Sequence, residues 1–183
     1  MFTRRTSANP PEEYCVSENG YEFRDGFLSG AQTTQIKVKG HAVTARRLFG
    51  NISGRLPEAV KDSLAAQISS DLYNAVSGYP NHAELGHWVI NASDHLLLFE
   101  DPNNAEILGM VSIRHLDVDG HPVFMINDIR LSPRLARKGL LSGSVRSEIE
   151  HFVRSVQSDT QQSQGVDLYF VATAIYPVTL NTF

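Results

Sequence analysis

The chain of 183 residues contains one cysteine, Cys15. A single thiol allows no disulfide within the chain and no cluster of thiolate metal ligands, which fits a reducing compartment. No apolar run approaches the roughly twenty residues needed to cross a bilayer. Met1 to Asn9 carries arginines but no apolar segment behind them, so neither secretion nor membrane insertion is expected and a cytoplasmic location is. Basic blocks are also missing. With 16 Lys and Arg against 20 Asp and Glu, the net charge is -4, and nothing in the pattern tracks a nucleic-acid backbone. Internal repeats and low-complexity segments are absent as well. What is present is ordinary globular material: 42% hydrophobic residues in a length that suits about one domain with a sizeable core.

Residues 1–34 read as a polar N-terminal extension, punctuated by Pro10, Pro11, Gly20, Gly26 and Gly30, and residues 35–183 as a single domain. Gln35 to Val43 alternates weakly and reads as a first strand with Lys37 and Lys39 on its exposed face. From Pro57 to Val76, Ala59, Val60, Leu64, Ile68, Leu72 and Val76 recur at helical spacing behind a proline tolerated in a first turn. Trp88 to Ile90 and Leu96 to Phe99 read as short strands, followed by Ile107 to Leu116, an Asp119-Gly120 turn and a strand from Val123 to Leu131. A helix and a last strand, Val166 to Thr173, complete the pattern. An early helix, an antiparallel meander and one long crossover helix predict an α+β, or mixed α/β, fold with a mostly antiparallel sheet flanked by helices.

The segment from His121 to Val153 carries the strongest functional signal. Its strand ends at Ser132-Pro133, where proline removes a ladder donor. Arg134, Arg137 and Lys138 then surround Gly139, and Leu140, Leu141, Val145, Ile149, Phe152, Val153 and Val156 follow at near-helical spacing, so a helix is predicted from the glycine. A helix start beside cations, with a glycine that lets a ligand approach the backbone, suits an anion such as a pyrophosphate. A solvated basic turn between a core strand and a core helix is the plainer reading of the same residues.

This segment resembles the GCN5-related N-acyltransferases, whose motif runs from a strand ending in aliphatic-x-Pro to an Arg/Gln-x-x-Gly-x-Gly/Ala turn and a helix. Leu131, Pro133 and Gly139 match in kind and spacing, while Ala136 and Leu141 stand where Arg or Gln and Gly or Ala are usual. The resemblance covers roughly Leu96 to Pro177. It implies that acetyl-CoA or another acyl-CoA is bound, with no metal, by Ile129, Leu131, Ala136, Arg137, Lys138, Gly139, Leu140, Leu141 and Ser142. The implied reaction is transfer of the acyl group to an amine of a small molecule or protein. The family continues past the last strand with more elements than the six residues after Pro177 supply, so a shortened C-terminus is expected, with a sheet edge open to a homodimer partner.

Acyl transfer to an amine needs a group to take the amine's proton and another to protonate the thiolate. Many family members place a glutamate six residues before the aliphatic position, where this chain has Met125. Asp128 is the only carboxylate in the motif strand and is the candidate base; its alternative is a solvent-facing or turn-capping role. Tyr176, after the last strand, is the candidate acid, with packing against the sheet as its alternative. His115 and His121 flank the Asp-Gly turn without ligand spacing diagnostic of a metal. Trp88 is assigned to the core. Besides the acyltransferase, two readings remain open: a catalytically inactive module that binds acyl-CoA or a partner, and an interaction domain whose basic turn meets an acidic partner.

Overall fold

The computed structural model describes residues 14–17, 20–23, 32–73, 82–137, 140–164 and 169–172. In chain order these form β1 (Tyr14–Ser17), β2 (Gly20–Phe23), β3 (Gln32–Val38), β4 (His41–Leu48), α1 (Ile52–Arg55), α2 (Glu58–Ile68) and a π-helical turn (Ser69–Tyr73). Then come α3 (His82–Asn91), β5 (His95–Glu100), β6 (Ile107–Val118), β7 (His121–Leu131), β8 (Ala136–Arg137), β9 (Leu140–Leu141), α4 (Gly143–Gln164) and β10 (Tyr169–Ala172). Six strands share one sheet in the order β10-β7-β6-β5-β4-β3. Every neighbouring pair is antiparallel except β10 with β7, which run parallel on either side of the α4 crossover. This is the mixed α/β, mostly antiparallel architecture expected from the sequence.

The central strands explain the layering. In β5 and the first half of β6, successive residues are buried whichever face they point to, the signature of a sheet covered on both sides. One face packs Leu48, Leu96, Leu98 and Met110 against α1, α2 and α3 through Ile52, Leu64, Ile68 and Ile90. The other packs Val43, Leu97, Phe99 and Val111 against Val145, Ile149, Phe152 and Val156 of α4. A buried ion pair, Arg47 with Glu148, fastens α4 to β4, and the same guanidinium donates to Gln32 Oε1 at 3.2 Å and Thr34 Oγ1 at 2.8 Å.

Four elements differ from the sequence expectation. Gln35 to Val43 is not one strand: Lys39 and Gly40, both with positive φ (52° and 86°), turn the chain into the β3–β4 hairpin. Trp88 to Ile90 lies inside α3, where Val89 and Ile90 are buried, while Trp88 itself is 53% exposed instead of core. The 57–76 pattern begins as α2, capped by Pro57, but turns π-helical at Ser69. The last helix starts at Gly143, not at Gly139, because Arg137 and Leu140 pair in a short ladder and Ser142 is the residue that caps the helix. Its Oγ accepts from Val145 N at 3.3 Å and its carbonyl from Arg146 N at 3.0 Å.

Among the described residues, no helix is long and apolar enough to cross a membrane.

Candidate active site

The site begins with a register shift. Along the β6–β7 ladder Ser112 faces Asp128 and the next residue, Ile113, faces Ile126, so Asn127 is an extra residue on β7. Such a bulge reverses which face the following side chains take. Phe124 and Ile126 before it, and Ile129 and Leu131 after it, all pack on the α4 side. Asp128 and Arg130 are thereby turned to the other face, toward the π-helical turn. The described residues of β10 pair with β7 from Tyr169 opposite Val123 to Ala172 opposite Ile126.

Tyr73 meets the two charged residues from across the layer. The π-turn adds a residue to the helical ladder and so resets the direction of the side chains that follow a regular α-helix. The turn is held in place by Asp71 Oδ2, which accepts from Ile107 N at 2.9 Å, and by Ser69 Oγ, which accepts from Gly86 N at 3.0 Å. Tyr73 is 2% exposed, and its hydroxyl donates a hydrogen bond to Asp128 Oδ2. Arg130 Nε lies 3.6 Å from the same oxygen, and its guanidinium sits 5.0 Å above the Tyr73 ring centroid, a cation–π arrangement. Burial first, then the Asp128 carboxylate, push the Tyr73 phenol far above its ordinary value, so it remains a protonated donor. The Asp128 side chain is 18% exposed, and both described contacts fall on Oδ2.

At the far end of β7 the chain leaves the sheet tightly. Ser132 N donates to Leu108 O at 2.7 Å, and Leu135 N and Ala136 N return to Ser132 O at 3.0 and 3.2 Å. Gly109 makes room for this exit, since a Cβ there would lie 2.6 Å from Leu131 Cδ2 and 2.9 Å from Leu135 Cδ1. Arg134, one of the three turn cations, is occupied by Asp101 at 2.6 Å and Glu106 at 3.0 Å.

The candidate cofactor residues therefore fall in three groups. Ile129 and Leu131 are half-buried on the α4 face of β7. Ala136 and Arg137 in β8 pair with Leu141 and Leu140 in β9, while Lys138 and Gly139 lie outside the described residues. Ser142 caps α4, and Ser144 Oγ donates to Lys37 O at 2.8 Å. Tyr176 also lies outside the described residues. Of the candidate catalytic groups, Asp128 stands at the bulge with Tyr73 and Arg130, neither of which the sequence reading singled out. Arg130 had a legible signal, two residues from Asp128 and hence on the same strand face. Tyr73 had none, because it sits one residue past Leu72 in an apparently continuous helix.

His115 and His121 are not opposite one another: His115 faces Phe124 and stacks on it at 5.1 Å, and His121 faces Val118. Among the described residues no group of His, Cys, Asp and Glu is arranged to hold a metal.

No family model and no curated protein matches the chain. Solved structures similar in fold include an acetyltransferase from Trypanosoma brucei, 15% identical over 72% of this chain and 82% of that one, with a TM-score of 0.44. A ribosomal-protein-alanine N-acetyltransferase from Brucella melitensis biovar Abortus 2308 is 13% identical over 76% of this chain and 84% of that one, also at 0.44. An aminoglycoside acetyltransferase from an uncultured soil metagenomic sample, in complex with sisomicin, is 14% identical over 76% and 83%, at 0.40.

Proposed function

We propose that the chain is an acyl-CoA-dependent N-acyltransferase. The observation that carries this reading is the bulge at Asn127: it lies in the strand that runs into Leu131-Ser132-Pro133, and it turns a carboxylate out of the core beside a buried phenol. In this reading the edge of β7 from Asn127 onward is where an extended, amide-containing arm such as pantetheine would pair with backbone donors and acceptors. The turn of residues 136–142 lies beyond Leu131 at the end of that edge and would take the pyrophosphate, through Arg137, Lys138, the backbone at Gly139 and the start of α4.

In the reaction the amine nitrogen attacks the thioester carbonyl carbon. The C–N bond forms as the carbonyl electron pair moves to oxygen, and collapse of that intermediate breaks the C–S bond. Asp128 Oδ1, the oxygen away from Tyr73, takes the proton that the nitrogen sheds, and the departing thiolate takes a proton from Tyr176 or from water. Tyr73 is a positioning residue that fixes the rotamer of the carboxylate through Oδ2. Thiol release from acetyl-CoA in the presence of a panel of primary amines tests the reading. Asp128→Asn is expected to lower kcat by about 10²- to 10⁴-fold with coenzyme A affinity retained; unchanged turnover would remove Asp128 from the mechanism. Binding of acyl-CoA by the unaltered chain with no turnover of any amine would instead favour the inactive module, in line with Met125 at the usual glutamate position.

A further inference from the structure

Arg130 has no task in the proton transfer assigned to Asp128, yet it stands inside the site. Past the bulge, residues 128 and 130 share one face of β7. Arg130 Nε lies 3.6 Å from Asp128 Oδ2, and the guanidinium sits 5.0 Å over the Tyr73 ring. Each of the two charged side chains is 18% exposed, so both reach the solvent. Stacking on a ring orients a guanidinium, and its five N–H donors form a flat fork that matches a carboxylate. Tyr73 stays protonated and neutral. An incoming acceptor therefore meets one negative and one positive charge side by side, in a place partly sheltered from water where such charges act more strongly than on an open surface.

We infer that the acceptor is a free α-amino acid, with its amine at Asp128 Oδ1 and its carboxylate on the Arg130 guanidinium. The inference rests on the acyltransferase reading and names the acceptor class. Two adjacent charges are matched by a molecule that carries the opposite two close together, and an α-amino acid has its amine and carboxylate on one carbon. A diamine or an amino sugar brings only positive charge, which Arg130 repels. In a protein the terminal amine is followed by a neutral amide and a lysine amine by an alkyl stem, and neither offers the guanidinium a charge.

The test measures thiol release from acetyl-CoA with three sets of acceptors: amino acids, the amino alcohols of the same side chains, in which a neutral hydroxymethyl group replaces the carboxylate, and alkyl diamines. The unaltered chain is expected to favour an amino acid over its alcohol by about 10- to 100-fold in kcat/KM, the size of one contact to a charged group, with diamines below both. Arg130→Met should bring the acid-to-alcohol ratio close to one, and Arg130→Lys, which keeps the charge without the fork, should restore part of it. A ratio between two substrates cancels any general loss of turnover, so a purely structural part for Arg130 would leave it unmoved. Should Arg130→Met not fold, the comparison on the unaltered chain decides by itself. If the unaltered chain uses alcohols or diamines as well as it uses amino acids, or if folded Arg130→Met keeps the preference, the inference is overturned while the acyltransferase reading stands. If acetyl-CoA is bound and no amine of any kind is acylated, both fall together.

Discussion

Tyr73→Phe removes one hydroxyl from a site where it donates to a carboxylate and is 2% exposed. A hydrogen bond to a charged group contributes about 1.5–3 kcal/mol, so the variant should be less stable by about 2 kcal/mol at pH 8. The size of the difference should then depend on pH in a defined way. The phenol is raised in the folded chain above its ordinary value of 10.0. Its stabilising effect is therefore fully present below pH 10 and is lost as pH climbs above it, because the unfolded chain releases the Tyr73 proton there and the folded chain does not. One proton corresponds to about 1.4 kcal/mol per pH unit. By pH 11 the gap between the two proteins should have closed by about 1.4 kcal/mol. The other tyrosines are common to both proteins and cancel. Urea unfolding of both at half-unit steps from pH 8 to 11 measures this directly. A gap that stays constant across the range, or no gap at pH 8, would refute the buried Tyr73–Asp128 contact as the organiser of the site.

Gly109→Ala places a Cβ 2.6 Å from Leu131 Cδ2 and 2.9 Å from Leu135 Cδ1. The overpacking should cost about 1–3 kcal/mol in urea unfolding and, by displacing Leu131, weaken acyl-CoA affinity as well; unaffected affinity would detach the strand end from the cofactor. Arg134→Ala frees Asp101 from one of the two groups that hold its carboxyl below the usual range, the other and larger being the Asn103 amide. Since a depressed carboxyl contributes stability above its ordinary value of 3.8 and loses it as pH falls through the folded value, the variant's deficit, up to about 1 kcal/mol at pH 7, should shrink in acid. A deficit that grows below pH 4 would contradict the pairing.

The sheet was legible where the chain obeys one rule at a time. Leu96 to Phe99, Ile107 to Leu116 and Val123 to Leu131 are apolar runs closed by turn residues, and all three are strands in the expected places. The Asp119-Gly120 turn lies where the pair predicted it, with both residues at positive φ. The errors arose where two signals compete. Lys39 is not a residue that announces a left-handed turn, so the hairpin after Val38 read as one strand. Trp88, Val89 and Ile90 are β-formers in isolation, yet Gly86 lets α3 pack so closely on α2 that a Cβ would lie 1.9 Å from Ala65 O, and that long-range fit keeps them helical. Asp128 could be picked out because it is the only acid on its strand. Its partner Tyr73 is 55 residues away and is brought in by a π-turn that has no sequence signature. The bulge at Asn127 was hidden for a related reason: an extra residue in a ladder is a property of two strands, and a single strand's pattern does not contain it.

The measurement that bears most directly on the account is calorimetric titration of acetyl-CoA into the unaltered chain and into Gly139→Trp, in which a large side chain occupies the turn that the acyltransferase motif keeps open for a pyrophosphate. Saturable binding to the first and none to the second, with both proteins folded, is the expected result. Equal binding by the two, or no heat from either, would contradict a coenzyme cradle at the end of β7.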